Sequence, residues 1–315
     1  MNEPPARLRR VTIEVTTWCN MDCPGCLRTL ELAAGRWRNR HMPVETFSRI
    51  IEHLPPCDML VMHGVGEPLL HPDYLDLIAI ARGSGKFDRL HCNTNAMARD
   101  EQHYLRMIQN GLDSFSVSVD SLDPELIRLT RAGTDLERVL HRLKVFHGLE
   151  LPFYIQMVAS RINCDDIFFT LYALNQIGPR AVFIQPFIDI AGSGNALPRN
   201  QAAMFIARIR NLSSQFANLS IHTGAFRNTG IGGYVGGDPI CVAPWLDPGI
   251  DADGFLTPCC MHWRADTLGK CNLADISFAE AWQSEQLQGF MEAYLETPPE
   301  FCRFCYENAR SAVQE

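Results

Sequence analysis

The run Val11-Thr-Ile-Glu-Val-Thr16, followed after two residues by Cys19-Asn-Met-Asp-Cys23-Pro-Gly-Cys26, decides how this chain is read. The first six residues, β-branched at every position but Glu14, read as a strand, and three cysteines spaced C-x3-C-x2-C crowd into the loop behind it. In parallel α/β folds chemistry collects at the carboxyl ends of strands, so this loop is a candidate site. The pattern then repeats. Strands are expected at Met59–His63, Arg89–Asn93, Ser114–Val119, Phe153–Val158 and Ala181–Gln185. Between them lie amphipathic stretches at Pro43–His53, Pro72–Arg82, Glu101–Asn110, Leu136–His147 and Asp166–Ile177, with apolar residues three and four apart. Six strand–helix units make an α/β fold, either a partial barrel or an open sheet.

Working outward, the 315 residues are 46% hydrophobic and 20% charged, enough for a sizeable core. Basic residues number 28 against 36 acidic, a balance of −8, so there is no broad basic footprint for nucleic acid. No apolar run of 18 residues and no charged-then-apolar leader occurs, and the expectation is a cytoplasmic protein without a membrane partner. Twelve cysteines are many for a chain with no export signal, and in a reducing compartment they point to metal ligation. Two groups near the chain ends suggest two sites.

Three thiolates fall one short of an all-cysteine zinc site. They hold three irons of a cubane and leave the fourth open to an outside ligand, or they bind zinc with a distant fourth residue. At the other end, Cys241, Gly254 and Cys259 precede Cys302-Arg-Phe-Cys305, a set that suits zinc or a fully ligated iron–sulfur cluster. Three regions result. Residues 1–195 form the core. Residues 196–238 carry a helix (Gln201–Phe216) and a glycine-rich linker (Thr229–Asp238), and 239–315 form a compact second unit. That unit is expected to hold a hairpin over Ile250–Cys259, turning at Asp251-Ala252-Asp253-Gly254, and a helix over Ser277–Leu295.

The cysteine loop after a first strand resembles that of the radical S-adenosylmethionine (SAM) superfamily, and the resemblance extends along the chain. Gly64-Val-Gly66-Glu67-Pro68 is similar to the family's glycine-rich segment that meets the SAM amino group, with Glu67 as an acceptor for an ammonium. Asn93-Thr94-Asn95-Ala96 stands where the family often has Thr-Asn-Gly. Ser116-Val-Ser118-Val-Asp120 resembles its Ser-x-Asp element, and Arg131 occupies the place of an arginine that pairs the SAM carboxylate. Gly25 stands where relatives frequently carry an aromatic. The resemblance implies a partial (β/α)6 barrel with a small C-terminal α+β cluster-binding domain, a β-hairpin plus helix. It also implies that SAM is cleaved by one electron to a 5′-deoxyadenosyl radical. Cofactor contacts are expected from Gly64, Gly66, Glu67, Asn95, Ser118, Asp120, Arg131 and Gln156. Cys19, Cys23 and Cys26 would ligate a first 4Fe–4S cluster. The C-terminal pattern is similar to a twitch/SPASM-like auxiliary domain, in which Cys241, Cys259, Cys302 and Cys305 ligate a second. Cys260 either replaces Cys259 or, like Cys271, is a thiol that returns hydrogen to a substrate radical; both also read as filler.

The function so implied is an oxidoreductase that abstracts hydrogen from a substrate C–H bond, a dehydrogenase-like two-electron oxidation of a small metabolite. Alternatives are epimerisation with a cysteine hydrogen donor, modification of a ribosomally made peptide, or a non-catalytic metal-binding scaffold. Partners are then a small-molecule or peptide substrate and a flavodoxin- or ferredoxin-type electron donor. Only about ten residues precede the first strand, so no fused leader-peptide recognition domain is expected.

Overall fold

In the computed structural model the described residues are 3–216, 218–224, 232–235, 238–260, 268 and 271–296. Apolar alternation builds a sheet of nine strands: β1 (Leu8–Ile13), β2 (Cys57–Val61), β3 (Phe87–Thr94), β4 (Ser114–Ser118), β5 (Phe153–Ala159), β6 (Ala181–Pro186), β7 (Ser220–His222), β10 (Gly249–Ile250) and β11 (Leu256–Thr257). Their order is β11-β10-β1-β2-β3-β4-β5-β6-β7, with every neighbouring pair parallel except β10 and β11. Between β1 and β7 the helices are α1 (Leu27–Ala33), α2 (Val44–His53), α3 (Tyr74–Gly83), α4 (Glu101–Gln109), α5 (Pro124–Thr130), α6 (Leu136–Gly148), α7 (Ile167–Ile177) and α8 (Arg199–Ser213). All six expected strands are present, as the radical SAM type of barrel requires. The seventh, β7, is three residues long, too short for an alternation to announce it.

One face of the sheet is sealed and the other is not. Val11, Ile13, Leu60, Leu90, Phe115, Val117, Phe153, Ile155 and Ile184 are buried against the helices. There Tyr104, Phe115, Phe146 and Phe153 pack with ring centres 4.7–6.4 Å apart, each burial stabilising by about 2–3 kcal/mol. On the opposite face His91, Asn93, Ser114, Ser118, Tyr154, Gln156, Phe183 and Gln185 stay partly exposed. This inner face is polar, which a filled barrel core is not.

Two stretches differ from expectation. The glycine-rich segment read as a linker contains an antiparallel ribbon, β8 (Gly232–Val235) against β9 (Asp238–Cys241). The expected helix over Ser277–Leu295 is two, α10 (Phe278–Trp282) and α11 (Glu285–Glu296). Ser277 opens the first with a reciprocal cap to Glu280, and Ser284 breaks the run because its hydroxyl accepts from Leu287 N–H (3.3 Å). The expected hairpin is present as β10 and β11, but it continues the barrel sheet: Thr12 and Ile13 of β1 pair with Gly249 and Ile250. Helix α9 (Ala243–Leu246) leads into it. Just behind α9, buried Asp247 accepts from Arg9 Nε (2.8 Å) and from a second nitrogen of the same guanidinium, a forked ion pair. No helix among the described residues is long and apolar enough to cross a membrane.

Gly249 is where this junction is tightest. A Cβ there would overlap the Thr257 hydroxyl and stand 3.1 Å from the Cys259 carbonyl. Gly249→Val is therefore expected to cost about 2 kcal/mol as overpacking. Gly83→Ala, with open space around it, should be neutral or slightly stabilising. Denaturant midpoints of the two variants check the contrast.

Candidate functional site

The loop after β1 carries Cys19, Cys23 and Cys26, all free thiols and all partly exposed. Arg28 N–H donors hold the loop at Met21 O (3.1 Å) and Asp22 Oδ1 (3.2 Å), and Asn95 Nδ2 donates to Asn20 Oδ1 (2.8 Å). The thiols interact in pairs, Cys19 with Cys23 and Cys23 with Cys26, while Arg28 faces Cys19 and Arg131 faces Cys23. Burial pushes the Cys19 thiol up to about 11 and raises Cys23. Among the described residues no three metal-binding side chains are gathered around a single point. The donor chemistry nevertheless fits an iron–sulfur cluster: three soft thiols on one short, anchored loop with two guanidiniums beside them to balance thiolate charge.

The loop behind β2 lies directly on the end of β1. A Cβ at Gly64 would overlap the Glu14 side chain, and one at Gly66 would overlap the Thr16 carbonyl and stand 2.7 Å from that of Trp18. Both glycines are thus set by close approach. Glu67 N–H then donates to Trp18 O (2.7 Å). The Glu67 carboxyl is only 3% exposed and accepts from Thr94 Oγ1 (2.7 Å), Asn95 N–H (2.7 Å) and Leu69 N–H (3.3 Å). In this structure Glu67 staples the loops behind β2 and β3 together. Asn95 is likewise a fastener, since its Oδ1 accepts from Met97 N–H (2.8 Å) while its Nδ2 grips the cysteine loop. Ala96 has φ +58°, the left-handed region, at the position where relatives place glycine.

Behind β4, Asp120 Oδ1 accepts from Val158 N–H (2.8 Å) and its Oδ2 stands 2.9 Å from Arg131 Nε. Arg131 is therefore already half of a buried ion pair, next to Cys23 and Cys26. Ser118 faces Gln156 across β4 and β5, and the Gln156 amide nitrogen has no hydrogen-bond partner among the described residues. Deeper in the barrel runs a chain of neutral groups. Ser114 Oγ is 2.8 Å from His91 Nδ1, His91 Nε2 is 3.1 Å from both Asn93 Oδ1 and Ser116 Oγ, and Asn93 Nδ2 is 3.3 Å from His63 Nε2. Desolvation holds His63 down to about 3 and His91 to about 4, so both rings are uncharged near neutrality.

At the second cysteine set, Cys241 lies within electrostatic reach of Cys260 and Arg9, and burial raises its thiol. Cys259 comes two residues after the end of β11 and is partly exposed, as is Cys260. Cys302 and Cys305 lie outside the described residues. Cys271 is 2% exposed, with its sulfur 3.2 Å from Ser284 Oγ, and packs in the core cluster.

Comparison with known proteins is direct. Residues 13–167 match the radical SAM superfamily. The chain belongs to that superfamily. Residues 241–306 match the SPASM iron–sulfur cluster-binding domain, a span that includes Cys241, Cys259, Cys302 and Cys305. This is a radical SAM enzyme with a SPASM domain, and its cofactors are SAM and iron–sulfur clusters. It is 25% identical to a GTP 3′,8-cyclase of Chlorobaculum tepidum over 97% of this chain and 93% of that one. It is 27% identical to a PqqA peptide cyclase of Streptomyces rochei, over 49% of this chain and 41% of the relative, so it spans under half of that protein. Among solved structures, Streptococcus suis SuiB bound to S-adenosylmethionine superposes with a TM-score of 0.72 at 15% identity, covering 93% of this chain and 68% of SuiB. Native anSMEcpe with bound AdoMet gives 0.73 at 16% identity, covering 97% and 92%. Both share the fold.

Sequence reading passed over Glu14, His63 and His91. Glu14 is a buried carboxylate inside an apolar strand, and that mismatch was the available signal. Burial raises both Glu14 and Glu67 from 4.5 to about 7. Their protons are lost near 4.5 in the unfolded chain and near 7 in the folded one, so they favour folding at low pH and less as pH rises through 7. The histidines act oppositely, but only below their unfolded value of 6.5. Between pH 6.5 and 8 the carboxyls dominate this set, so Tm of the metal-free protein should fall across that window, with a shallower fall for Glu14→Gln.

Proposed function

We propose that this enzyme carries out a net two-electron oxidation of a small polar metabolite, and the observation that carries the reading is the partly exposed polar inner face of the barrel. When bound, the cluster and SAM supply a 5′-deoxyadenosyl radical able to take hydrogen from an unactivated C–H bond. Cys19, Cys23 and Cys26 would hold the first cluster, and Gly64, Gly66, Ser118 and Arg131 would orient SAM above the lumen. His63, His91, Asn93, Ser116 and Gln156 would bind substrate hydroxyl or carbonyl groups as uncharged donors and acceptors, directly beneath those strand ends. Cys241, Cys259, Cys302 and Cys305 would ligate the auxiliary cluster. The hairpin just ahead of Cys259 pairs with β1, which supports an auxiliary electron acceptor close to the same sheet. A flavodoxin- or ferredoxin-type protein in the cytoplasm would supply the initiating electron.

A second reading is peptide modification. It is favoured by the 27% identity to PqqA peptide cyclase over half the chain.

Anaerobic reconstitution tests both readings. About eight irons per chain are expected, with dithionite-dependent 5′-deoxyadenosine formation. Cys19→Ala, Cys23→Ala or Cys26→Ala should abolish that cleavage, whereas Cys302→Ala should lower iron to about four and leave substrate-independent cleavage intact. Iron unchanged in Cys302→Ala would remove the auxiliary assignment. Stimulation of 5′-deoxyadenosine formation by a small-metabolite extract supports oxidation of a metabolite, and stimulation by a peptide extract alone would replace it with the second reading.

A further inference from the structure

Glu14 has no role in the function so far described. It is nonetheless a carboxylate buried to 2% exposure just past the end of β1, in the segment that leads to Cys19. Its Oε1 accepts from Val65 N–H at 2.8 Å, and the next N–H, of Gly66, lies close enough to favour the charged form of the same carboxyl. In a trans peptide the N–H and C=O point in opposite directions. Two consecutive N–H groups turned onto Glu14 therefore turn the carbonyls of Gly64 and Val65 away from it. Neither carbonyl accepts a hydrogen bond among the described residues. Close packing fixes the arrangement, since Gly64 has no room for a Cβ against the Glu14 side chain and Glu67 N–H is locked to Trp18 O at 2.7 Å. Arg40 and, from the hairpin turn, Asp251 are the other charged groups that act on the carboxyl.

We infer that Glu14 is the positioning residue of the SAM site: by drawing the two N–H groups inward it presents the Gly64 and Val65 carbonyls as paired acceptors for the ammonium of the SAM amino-acid tail. This rests on the reading of Gly64–Glu67 as the segment that meets that group. Glu14 itself touches no ligand. A carboxylate is suited to the task because one acceptor group can hold two adjacent N–H donors, which a methyl or thioether cannot.

The test compares equilibrium binding of SAM and of 5′-methylthioadenosine, which lacks the amino-acid tail, to anaerobically reconstituted protein, with iron content and Tm recorded for each variant. Glu14→Met keeps the volume and removes the acceptors. It should lower the SAM-over-methylthioadenosine preference at least tenfold, with affinity for methylthioadenosine and iron per chain unchanged. Glu14→Gln retains one acceptor oxygen and should stay within about threefold of wild type. Should Glu14→Met fail to load iron, Glu14→Asp decides, because it keeps the charge but withdraws it by one methylene; it should show the same selective loss in smaller measure. A wild-type preference for SAM that persists in Glu14→Met, or in Glu14→Asp where that variant decides, overturns the role of Glu14 alone. A wild-type protein with no preference overturns the ammonium reading of the loop, and the inference with it. Parallel loss of both ligands would mark a merely structural role and also overturn it.

Discussion

Everything at the mouth of this barrel hangs from one strand. Leu8–Ile13 is paired on both sides, with β2 on one flank and β10 on the other, and its extension through Trp18 supplies the carbonyls on which the glycine loop lies. The cysteine loop, the glycine loop behind β2 and the hairpin ahead of Cys259 are therefore positioned by the same short stretch of backbone. Hydrogen bonds in a sheet fix registry to a fraction of an ångström, a precision that loops alone do not reach. The two regions matched by different families, 13–167 and 241–306, meet on this strand.

The local pattern was enough for the barrel because a parallel sheet repeats one chemical instruction, an apolar run followed by a helical face. Helix limits came within a few residues where Asp100 and Asp135 cap the first turn. The strand expected at Val11–Thr16 lies three residues earlier because Leu8 pairs with Cys57, a partner that no local alternation identifies. The cysteine loop was legible for a different reason: three thiolates at fixed short spacing have few structural uses.

The rest was hidden in contacts between distant residues. The stapling by Glu67 is one example, since only the fold shows Thr94, Asn95 and Leu69 converging on it. Cys271 is one cysteine among twelve in the sequence and part of a packed core in space. Ala96 stands where the family resemblance led to an expectation of glycine, and takes the left-handed conformation itself. Its φ of +58° is held by Arg142, which donates to its carbonyl, and by Ala96 N–H donating to Thr94 Oγ1 at 3.1 Å.

The forked ion pair between Arg9 and Asp247 joins residues 238 positions apart. On a ribosome the N-terminal strand emerges first and waits through most of translation for its second flank, and a chain of such long-range pairing closes slowly. During that interval the Cys19–Cys26 loop stands beside an unpaired strand edge, more open than it will be again. The hairpin, made last, is thus the clasp that closes the edge of a strand made first.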